Sequence, residues 1–199
     1  MRHVSCALCG SDDAERVLEK DGWRIVRCRG CGLGYVDPAP DPADVARFYD
    51  ESGFYEERYS RKRAAKLRNS SRNVAAVERA LGRVLPRRLL DVGCGCGFVV
   101  RAAADRGWEA RGVDLCSWEV EYARRELAVE AEVRPFPGSS LPAGSFSAVT
   151  MYDVLEHMPD PAAGLAEAFS LLRPGGVLVA AVPDFGHPAA RRGAAWDGY

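Results

Sequence analysis

The distribution of apolar and polar positions from Arg88 onward predicts a layered α/β fold. Short apolar runs alternate there with amphipathic segments, as in sheets whose parallel strands are joined by helices. Strands are predicted at Leu89–Val92, Glu109–Val113, Ala131–Arg134, Phe146–Met151 and Val177–Val182. Helices are predicted at Phe98–Arg106, from Ser117 to near Leu127, around Leu155 and after Asp160. This order predicts a doubly wound, mostly parallel Rossmann-like sheet.

The N-terminal part has the pattern of a small β unit followed by a helix. Glu15–Lys20 and Trp23–Arg27 read as strands joined at Asp21-Gly22, a pair that favours tight hairpin turns. Prolines interrupt this pattern, and helical spacing runs from Asp41 to Leu85, with an aromatic cluster between Phe48 and Tyr59. Three units are therefore predicted: a ribbon at 1–37, a helical linker or lid at 38–86, and a core at 87–199.

Composition narrows the functional class only slightly. The chain has 199 residues, of which 47% are hydrophobic, and a net charge of -1. Such a charge favours neither nucleic acid nor an anionic membrane surface. No apolar run approaches the roughly 20 residues that span a bilayer, and the N-terminus lacks the apolar stretch of a secretory signal. We therefore expect a cytoplasmic protein that does not enter a membrane.

Four of the seven cysteines form two CxxC pairs, each followed by glycine: Cys6, Cys9, Cys28 and Cys31. This spacing is typical of structural zinc sites, in which four thiolates complete a tetrahedron without an open position. A redox pair is disfavoured because the cysteines flank a hairpin and not a helix N-terminus. We therefore predict a structural Zn²⁺ in the ribbon, the alternative being a chance grouping of reduced cysteines.

A glycine-rich turn follows the first strand of the core. Gly93, Gly95 and Gly97 lie where the backbone must turn sharply and let a cofactor approach closely. Asp114 ends the next strand, in a position to accept hydrogen bonds from two ribose hydroxyls. Asp91 precedes the turn, where a carboxylate repels the pyrophosphate of a nicotinamide dinucleotide but suits a ligand with an ammonium group. S-adenosylmethionine is such a ligand.

Four segments in this order carry a resemblance to a known family: LLDVGCGCG, GVDL, VTMYDVLEHMPDP and LLRPGGVLVAAVP. Together they resemble the class I S-adenosylmethionine-dependent methyltransferases over residues 88–183. The N-terminal ribbon joined to this core further resembles bacterial methyltransferases that modify small molecules. The resemblance implies an enzyme that methylates a small-molecule acceptor at an oxygen, nitrogen or carbon nucleophile.

The same resemblance implies roles for particular residues. The loop residues would shape the pocket for the methionine part of the cofactor: Gly93, Cys94, Gly95 and Gly97. Asp91 would lie near the amino group and Asp114 at the ribose hydroxyls. Leu115 would pack on the adenine ring, and Met151 would lie beside the methionine tail.

Two positions depart from the family pattern. No acidic residue precedes Leu141-Pro142, where relatives often contact the adenine amino group with a carboxylate. Ser147 follows Phe146 where the family usually has aspartate. Adenine recognition is therefore expected to rest on backbone groups and on Phe136.

Candidate catalytic groups follow the fourth strand of the core, where open α/β sheets bind ligands. Asp153, Glu156 and His157 have the spacing that places three side chains on one face of a helix. Asp153 and His157 are the candidate proton acceptors for the nucleophile. Two interpretations of the motif remain: a divalent metal site, as in some O-methyltransferases, or a group that organises the turn through hydrogen bonds.

A basic stretch lies in and beside the predicted linker helix: Arg58, Arg61, Lys62, Arg63, Lys66, Arg68, Arg72, Arg79, Arg83, Arg87 and Arg88. Beside a zinc ribbon, such a stretch also fits an RNA methyltransferase. A solvated helical face is the simpler explanation. RNA retention that weakens steeply with salt would separate the two readings, because phosphate contacts release counterions.

The region after the fifth strand raises a further alternative. The family's sheet normally has seven strands, and 17 residues follow Val182 here. This pattern is consistent with a shortened core, with truncation, or with a second copy or partner chain that completes the sheet. A cofactor-binding or interaction module without turnover is the non-enzymatic hypothesis.

Overall fold

A computed structural model describes residues 1–41, 56–82 and 86–188, together with Gly193 and Ala195. Four aromatic residues of the predicted lid lie outside these ranges: Phe48, Tyr49, Phe54 and Tyr55. None of the described helices is both long and apolar enough to cross a membrane.

The N-terminal unit is a three-stranded antiparallel sheet in the order β1-β2-β3. Strand β1 (Ala14–Lys20) and strand β2 (Trp23–Cys28) form the predicted hairpin, with Asp21 and Gly22 both at positive φ in the turn. Strand β3 (Gly34–Val36), which the sequence pattern did not predict, pairs with β2 after the second cysteine pair. Three residues are too few to show a period of two, so only the pairing partner identifies this strand.

Helix α1 (Glu56–Leu81) leads into a five-stranded core sheet. In chain order the core contains β4 (Arg88–Val92), α2 (Phe98–Asp105), β5 (Glu109–Asp114), α3 (Ser117–Leu127), β6 (Glu130–Val133), β7 (Phe146–Tyr152), a 3₁₀ turn (Leu155–His157), α4 (Pro161–Leu171) and β8 (Leu172–Ala181). The strand order is β6-β5-β4-β7-β8, and all neighbours are parallel. The predicted α/β architecture is confirmed. Because parallel strands end at the same edge, the loops that follow them meet at the carboxyl edge of the sheet.

Helices cover both faces of this sheet. Consecutive side chains of β4 point to opposite faces, so Leu89 packs with Val74 and Val77 of α1, whereas Leu90 packs with Leu171 of α4. All of these side chains are almost completely buried. The continuous apolar strands are therefore explained by burial on two sides.

Glu78 of α1 joins the helix to the amino edge of the sheet. Its Oε1 accepts hydrogen bonds from Trp108 Nε1 at 3.2 Å and from Arg87 at 3.3 Å, and its Oε2 accepts from Arg106. The bond from Arg106 outweighs burial and lowers the pKa of Glu78. This cluster stabilises the edge opposite the candidate site.

Strand β8 begins earlier than predicted. Residues 173–176 were expected to turn the chain into the strand, but they lie within β8 as an irregularity, because Phe146 pairs with Leu172 while Ala148 pairs with Val177. Among the described residues, β8 pairs only with β7. The predicted starts of two helices agree more closely with the structure. Asp160 is the predicted cap of α4 and accepts a bond from Ala163 N at 2.9 Å. Cys116, not Ser117, occupies the N-cap position of α3, without a capping bond from its side chain.

Ser147 shows why this chain tolerates the loss of the usual aspartate. The side chain is fully buried; its hydroxyl donates to the Pro86 carbonyl and accepts from Arg88 N at 3.3 Å. It thereby ties the start of β7 to the start of β4, a structural role.

The chain leaving β8 lies against the N-terminal unit. A β carbon built on Gly34 would lie 2.6 Å from carbons of the Phe185 ring, so only glycine allows this approach. The guanidinium carbon of Arg27 lies 4.8 Å from the centroid of the same ring, a cation–π contact. The ribbon is therefore in contact with the segment that follows the carboxyl end of β8.

Candidate cofactor site and cysteine cluster

The four cysteines of the two CxxC pairs come together as predicted. Their sulfur atoms all lie within 4.8 Å of one another, with Cys6–Cys31 and Cys9–Cys28 at 3.5 Å. A tetrahedral zinc with Zn–S bonds of about 2.3 Å sets its sulfurs about 3.8 Å apart. The donor set and its spacing therefore fit a closed zinc site.

Each cysteine pair lies in a tight turn closed by its glycine. Gly10 N donates to Cys6 O at 2.8 Å and Gly32 N to Cys28 O at 2.9 Å, and both glycines have positive φ. Burial opposes ionisation of Cys28, but the backbone amides of Cys31 and Gly30 and the Cys9 thiol outweigh it, and the pKa of Cys28 falls to about 7. Without a metal the thiols share the charge unequally, because the Leu33 amide favours the Cys31 thiolate but burial and the neighbouring thiols outweigh it and raise the pKa of Cys31.

The glycine turn after β4 is shaped by close packing. A β carbon on Gly93 would clash with Val154, and one on Gly97 would lie 2.8 Å from Ala123, both glycines having positive φ. Gly93 N donates to Val113 O at 2.9 Å, which joins the turn to β5. These two glycines allow α3 and the loop after β7 to close around the turn.

Cys94 lies in this turn with its side chain directed inward, and its Sγ donates to Gly95 O at 3.7 Å. Its side chain is buried with Val100 and Val120, and burial raises the pKa of its thiol. Cys96 is buried among Phe98 and Tyr122, and burial likewise raises the pKa of its thiol. Neither residue presents a reactive thiolate to the carboxyl edge.

Asp114 connects the glycine turn to α3. Its Oδ2 accepts from Gly95 N at 2.7 Å and its Oδ1 from Cys116 N at 2.9 Å. A carboxylate offers about four lone-pair positions, so each oxygen retains acceptor capacity. The carboxylate thus lies at the end of β5 where a ribose is expected.

Asp91 is an acid inside the sheet. Only 3% of the residue is exposed, and its Oδ1 accepts from Thr150 Oγ1 at 2.6 Å. Burial, opposed by the Thr150 bond, raises the pKa of Asp91 to about 7. Tyr152, which ends β7, has its pKa raised to about 12 by burial and by the charge of Asp91. A cationic ligand at this edge favours the ionised form of Asp91.

Exposed apolar side chains lie beyond Asp114 at the same edge. Leu115 is 51% exposed and Val133, the last residue of β6, is 53% exposed. Phe136 is partly buried against the sheet. Large apolar side chains exposed beside a polar site mark a surface for an apolar part of a ligand.

Met151, predicted to lie beside the methionine tail, has its side chain in the core of the sheet. Its side chain is fully buried among Leu90, Val92 and Val149, so only its backbone is near the carboxyl edge. The sequence period already contained this signal, because Met151 and Val149 alternate with Thr150 on β7.

Glu167 of α4 was missed by sequence reasoning. Its carboxylate accepts from Ser139 N at 2.9 Å and also from Gly138 N and the Ser139 hydroxyl. These groups belong to the loop that follows β6. The only sequence signal is an acid on a largely apolar helix, and nothing in the pattern indicates its partner.

The predicted helical face of Asp153, Glu156 and His157 is wrong. Only Leu155–His157 form a 3₁₀ turn, and Asp153 lies before it with a φ of 54°. The two possible ligand atoms of Glu156 and His157 lie 3.9 Å apart. In the part of the chain that the structure describes, the only group of three or more potential metal ligands is the cysteine cluster. The backbone N–H of Asp153 donates to Ala181 O at 3.0 Å, so β8 holds this loop.

The strand order and the acids and glycines at the carboxyl edge define a class I S-adenosylmethionine-dependent methyltransferase fold. A family model described as a methyltransferase domain matches residues 55–199. The chain belongs to this methyltransferase domain family.

Curated relatives of similar sequence are ubiquinone biosynthesis O-methyltransferases. The chain is 37% identical over 109 residues to that of Alkalilimnicola ehrlichii, covering 52% of this chain and 44% of the relative. It is 42% identical over 97 residues to that of Xanthomonas campestris pv. campestris, covering 46% and 41%. The match therefore spans less than half the length of these relatives.

Solved structures show the same fold. A phosphoethanolamine N-methyltransferase of Haemonchus contortus in complex with S-adenosyl-L-methionine has a TM-score of 0.55 at 21% identity, covering 73% of this chain and 36% of that one. An S-adenosylmethionine-dependent methyltransferase of Thermotoga maritima has a TM-score of 0.52 at 19% identity, covering 72% and 69%. At these identities the likeness concerns the fold alone.

Proposed function

We propose that this chain transfers a methyl group from S-adenosylmethionine to a small-molecule acceptor. The observation that carries the proposal is the arrangement of Asp91, the Gly93–Gly97 turn and Asp114 at one edge of the parallel sheet. When bound, S-adenosylmethionine supplies the sulfonium methyl group. Asp91 and Asp114 supply negative charge at the ammonium and ribose ends, and Leu115 supplies apolar contact for the base.

The acceptor class is supported by two observations. The curated relatives are named for O-methylation in ubiquinone biosynthesis, which favours a hydroxyl on a small molecule. Three members of the basic stretch bond within the chain: Arg63 donates to Glu126 O at 2.9 Å, Arg87 to Glu78, and Arg88 to Glu109 at 2.8 Å. Fewer guanidinium groups are then directed outward for RNA phosphates, so the small-molecule function is preferred.

The proposal also assigns a role to each of three segments of the chain. Residues 1–37 form a zinc ribbon around Cys6, Cys9, Cys28 and Cys31, supported by the sulfur distances. Residues 38–86 connect it to the core at 87–199. A second copy or partner chain beside β8 remains a prediction.

A calorimetric titration tests the cofactor. The wild-type chain is expected to bind S-adenosylmethionine and not NADH, and Asp114→Ala is expected to bind it about tenfold or more weakly, because hydrogen bonds to a charged group are lost. Because Asp114 also holds Gly95 N and Cys116 N, thermal unfolding of the variant is measured alongside. Wild-type protein that does not bind S-adenosylmethionine contradicts the proposed function.

Asp153 and His157 are the proposed proton acceptors for the acceptor hydroxyl. Asn tolerates the left-handed backbone of Asp153, so Asp153→Asn removes the charge without altering the turn; His157→Gln removes the titratable ring. A lost general base lowers methyl transfer by about 100-fold or more, with the Kd for S-adenosylmethionine unchanged. The rate is measured as S-adenosylhomocysteine released with a panel of hydroxylated aromatic and sugar acceptors. Unchanged rates in both variants would exclude these two residues.

A further inference from the structure

One helix, α4, holds the loop that follows β6. The loop leaves β6 at Val133 and reaches β7 at Phe146. Within it, the backbone amides of Gly138 and Ser139 and the Ser139 hydroxyl all donate to Glu167 of α4. One carboxylate thus restrains two consecutive residues of the loop.

Ser139 is the centre of this arrangement. It is 1% exposed, its hydroxyl oxygen accepts from Leu141 N at 3.3 Å, and its carbonyl accepts from Arg134 Nη1. Arg134 is in turn held by Glu132 at 2.6 Å. All the polar groups of Ser139 are therefore bonded within the chain, and Glu167 accepts two of the bonds.

The charge of Glu167 is stabilised where it lies. Burial works against ionisation, but the Ser139 hydroxyl and the two backbone amides outweigh it and lower the pKa of Glu167. The carboxylate is therefore ionised throughout the neutral range, and its bonds to the loop are charge-assisted, which makes them about twice as strong as neutral ones.

The restrained loop borders the apolar surface proposed for the adenine ring. Phe136 belongs to the loop, and Arg134 N donates to Asp114 O at 2.9 Å, which ties its start to the end of β5. Leu115 and Val133 are exposed beside it. No carboxylate within the loop reads the base, so the backbone must do so, and a backbone discriminates only if its conformation is held.

We propose that Glu167 is a positioning residue that holds the Phe136–Leu141 loop in the conformation that recognises adenine. This inference rests on the proposed function. Glu167 is an acid supplied by α4, and it acts through the loop backbone that it orders and not by touching the base. Specificity for adenine over hypoxanthine therefore depends on a residue outside the binding surface.

The test compares S-adenosylhomocysteine with S-inosylhomocysteine, which carries oxygen in place of the adenine amino group. Affinities are measured by calorimetry for the wild type, Glu167→Gln and Glu121→Gln, the last a matched change at an exposed acid of α3. Glu167→Gln is expected to bind S-adenosylhomocysteine about tenfold more weakly and to reduce the preference for adenine. Glu121→Gln is expected to match the wild type.

Ser139→Ala guards against a folding defect in the first variant. It leaves the carboxylate and both amide bonds in place, so about a threefold loss of affinity and a smaller loss of adenine preference are expected. An unchanged preference for adenine in Glu167→Gln and in Ser139→Ala overturns the positioning role. If the wild type binds neither ligand, the proposed function fails first and this inference fails with it; if the wild type binds S-adenosylhomocysteine and the variants bind it equally well, only this inference fails.

Discussion

Asp91→Asn is expected to make the ligand-free protein more stable above pH 7 and, at the same time, to weaken S-adenosylmethionine binding by about 100-fold. Both effects have one cause. The carboxyl group is buried beside Thr150, and burial raises its pKa from 3.8 to about 7. Ionisation therefore costs stability in the empty site, whereas a cationic ligand at this edge recovers that cost.

The sign of the pH effect follows from linkage. With a raised pKa in the folded state, the contribution of Asp91 to stability is complete below pH 4 and is lost as pH rises through about 7. At about 1.36 kcal/mol for each unit of pKa, the loss reaches up to about 4 kcal/mol. The asparagine variant lacks this loss.

Urea unfolding at pH 5 and pH 8 measures the stability effect, and calorimetry in buffers of different ionisation enthalpy measures the protons released on binding. Wild-type protein at pH 6 is expected to release about one proton per S-adenosylmethionine bound, because Asp91 is mostly protonated before binding. Thr150→Val keeps the carboxyl group but removes a hydroxyl bond that lowers its pKa, so the loss of stability is expected at a higher pH than in the wild type. Identical pH dependence in the wild type and Asp91→Asn would contradict the assignment.

Removal of one cysteine from the cluster has the second large expected effect. Cys28→Ser is expected to abolish stoichiometric zinc and to unfold the ribbon, because a structural zinc supplies about 10–16 kcal/mol to small zinc-binding units. The N-terminal ribbon has only a small apolar core of its own, whose buried side chains are Cys6, Ile25, Val26 and Cys28.

Metal analysis of the purified chain and circular dichroism before and after chelation measure this effect. Cys116→Ser is the matched control, since Cys116 is buried at the start of α3 and lies outside the cluster. It is expected to retain one zinc per chain. A ribbon that stays folded in Cys28→Ser without metal would contradict a structural zinc.

The ribbon contacts the core, so the loss of zinc is also expected to affect the carboxyl edge of the sheet. Phe185 lies against Gly34 and Arg27 only four residues after the end of β8, and the carbonyl of Ala181 holds the loop of Asp153. A loss of zinc is therefore expected to affect the loop of Asp153, on the proposed acceptor side of the site, more than the Gly93–Gly97 turn.

Several elements were predictable because their signals are local. The hairpin at Asp21-Gly22 needs two residues that accept positive φ, and the cap at Asp160 needs a short acid before a proline. The helical position predicted for Asp153 was wrong because the deciding contact is not local. The spacing of Asp153 to His157 suits a helix, but the bond from its N–H to β8 fixes a left-handed conformation that no local pattern indicates.

The alternation of strands and helices, the glycine turn and the two CxxC pairs can be read from the chain, because each depends on neighbours a few residues apart. The use of the acids, in contrast, follows from the packing of the fold. Burial raises the pKa of Asp91, and α4 brings Glu167 to Ser139 across 28 positions of the chain. Such contacts depend on how the layers of the fold pack against each other. The glycine turn therefore indicates that a cofactor binds, whereas the packing around it decides which groups of the ligand lie near a carboxylate.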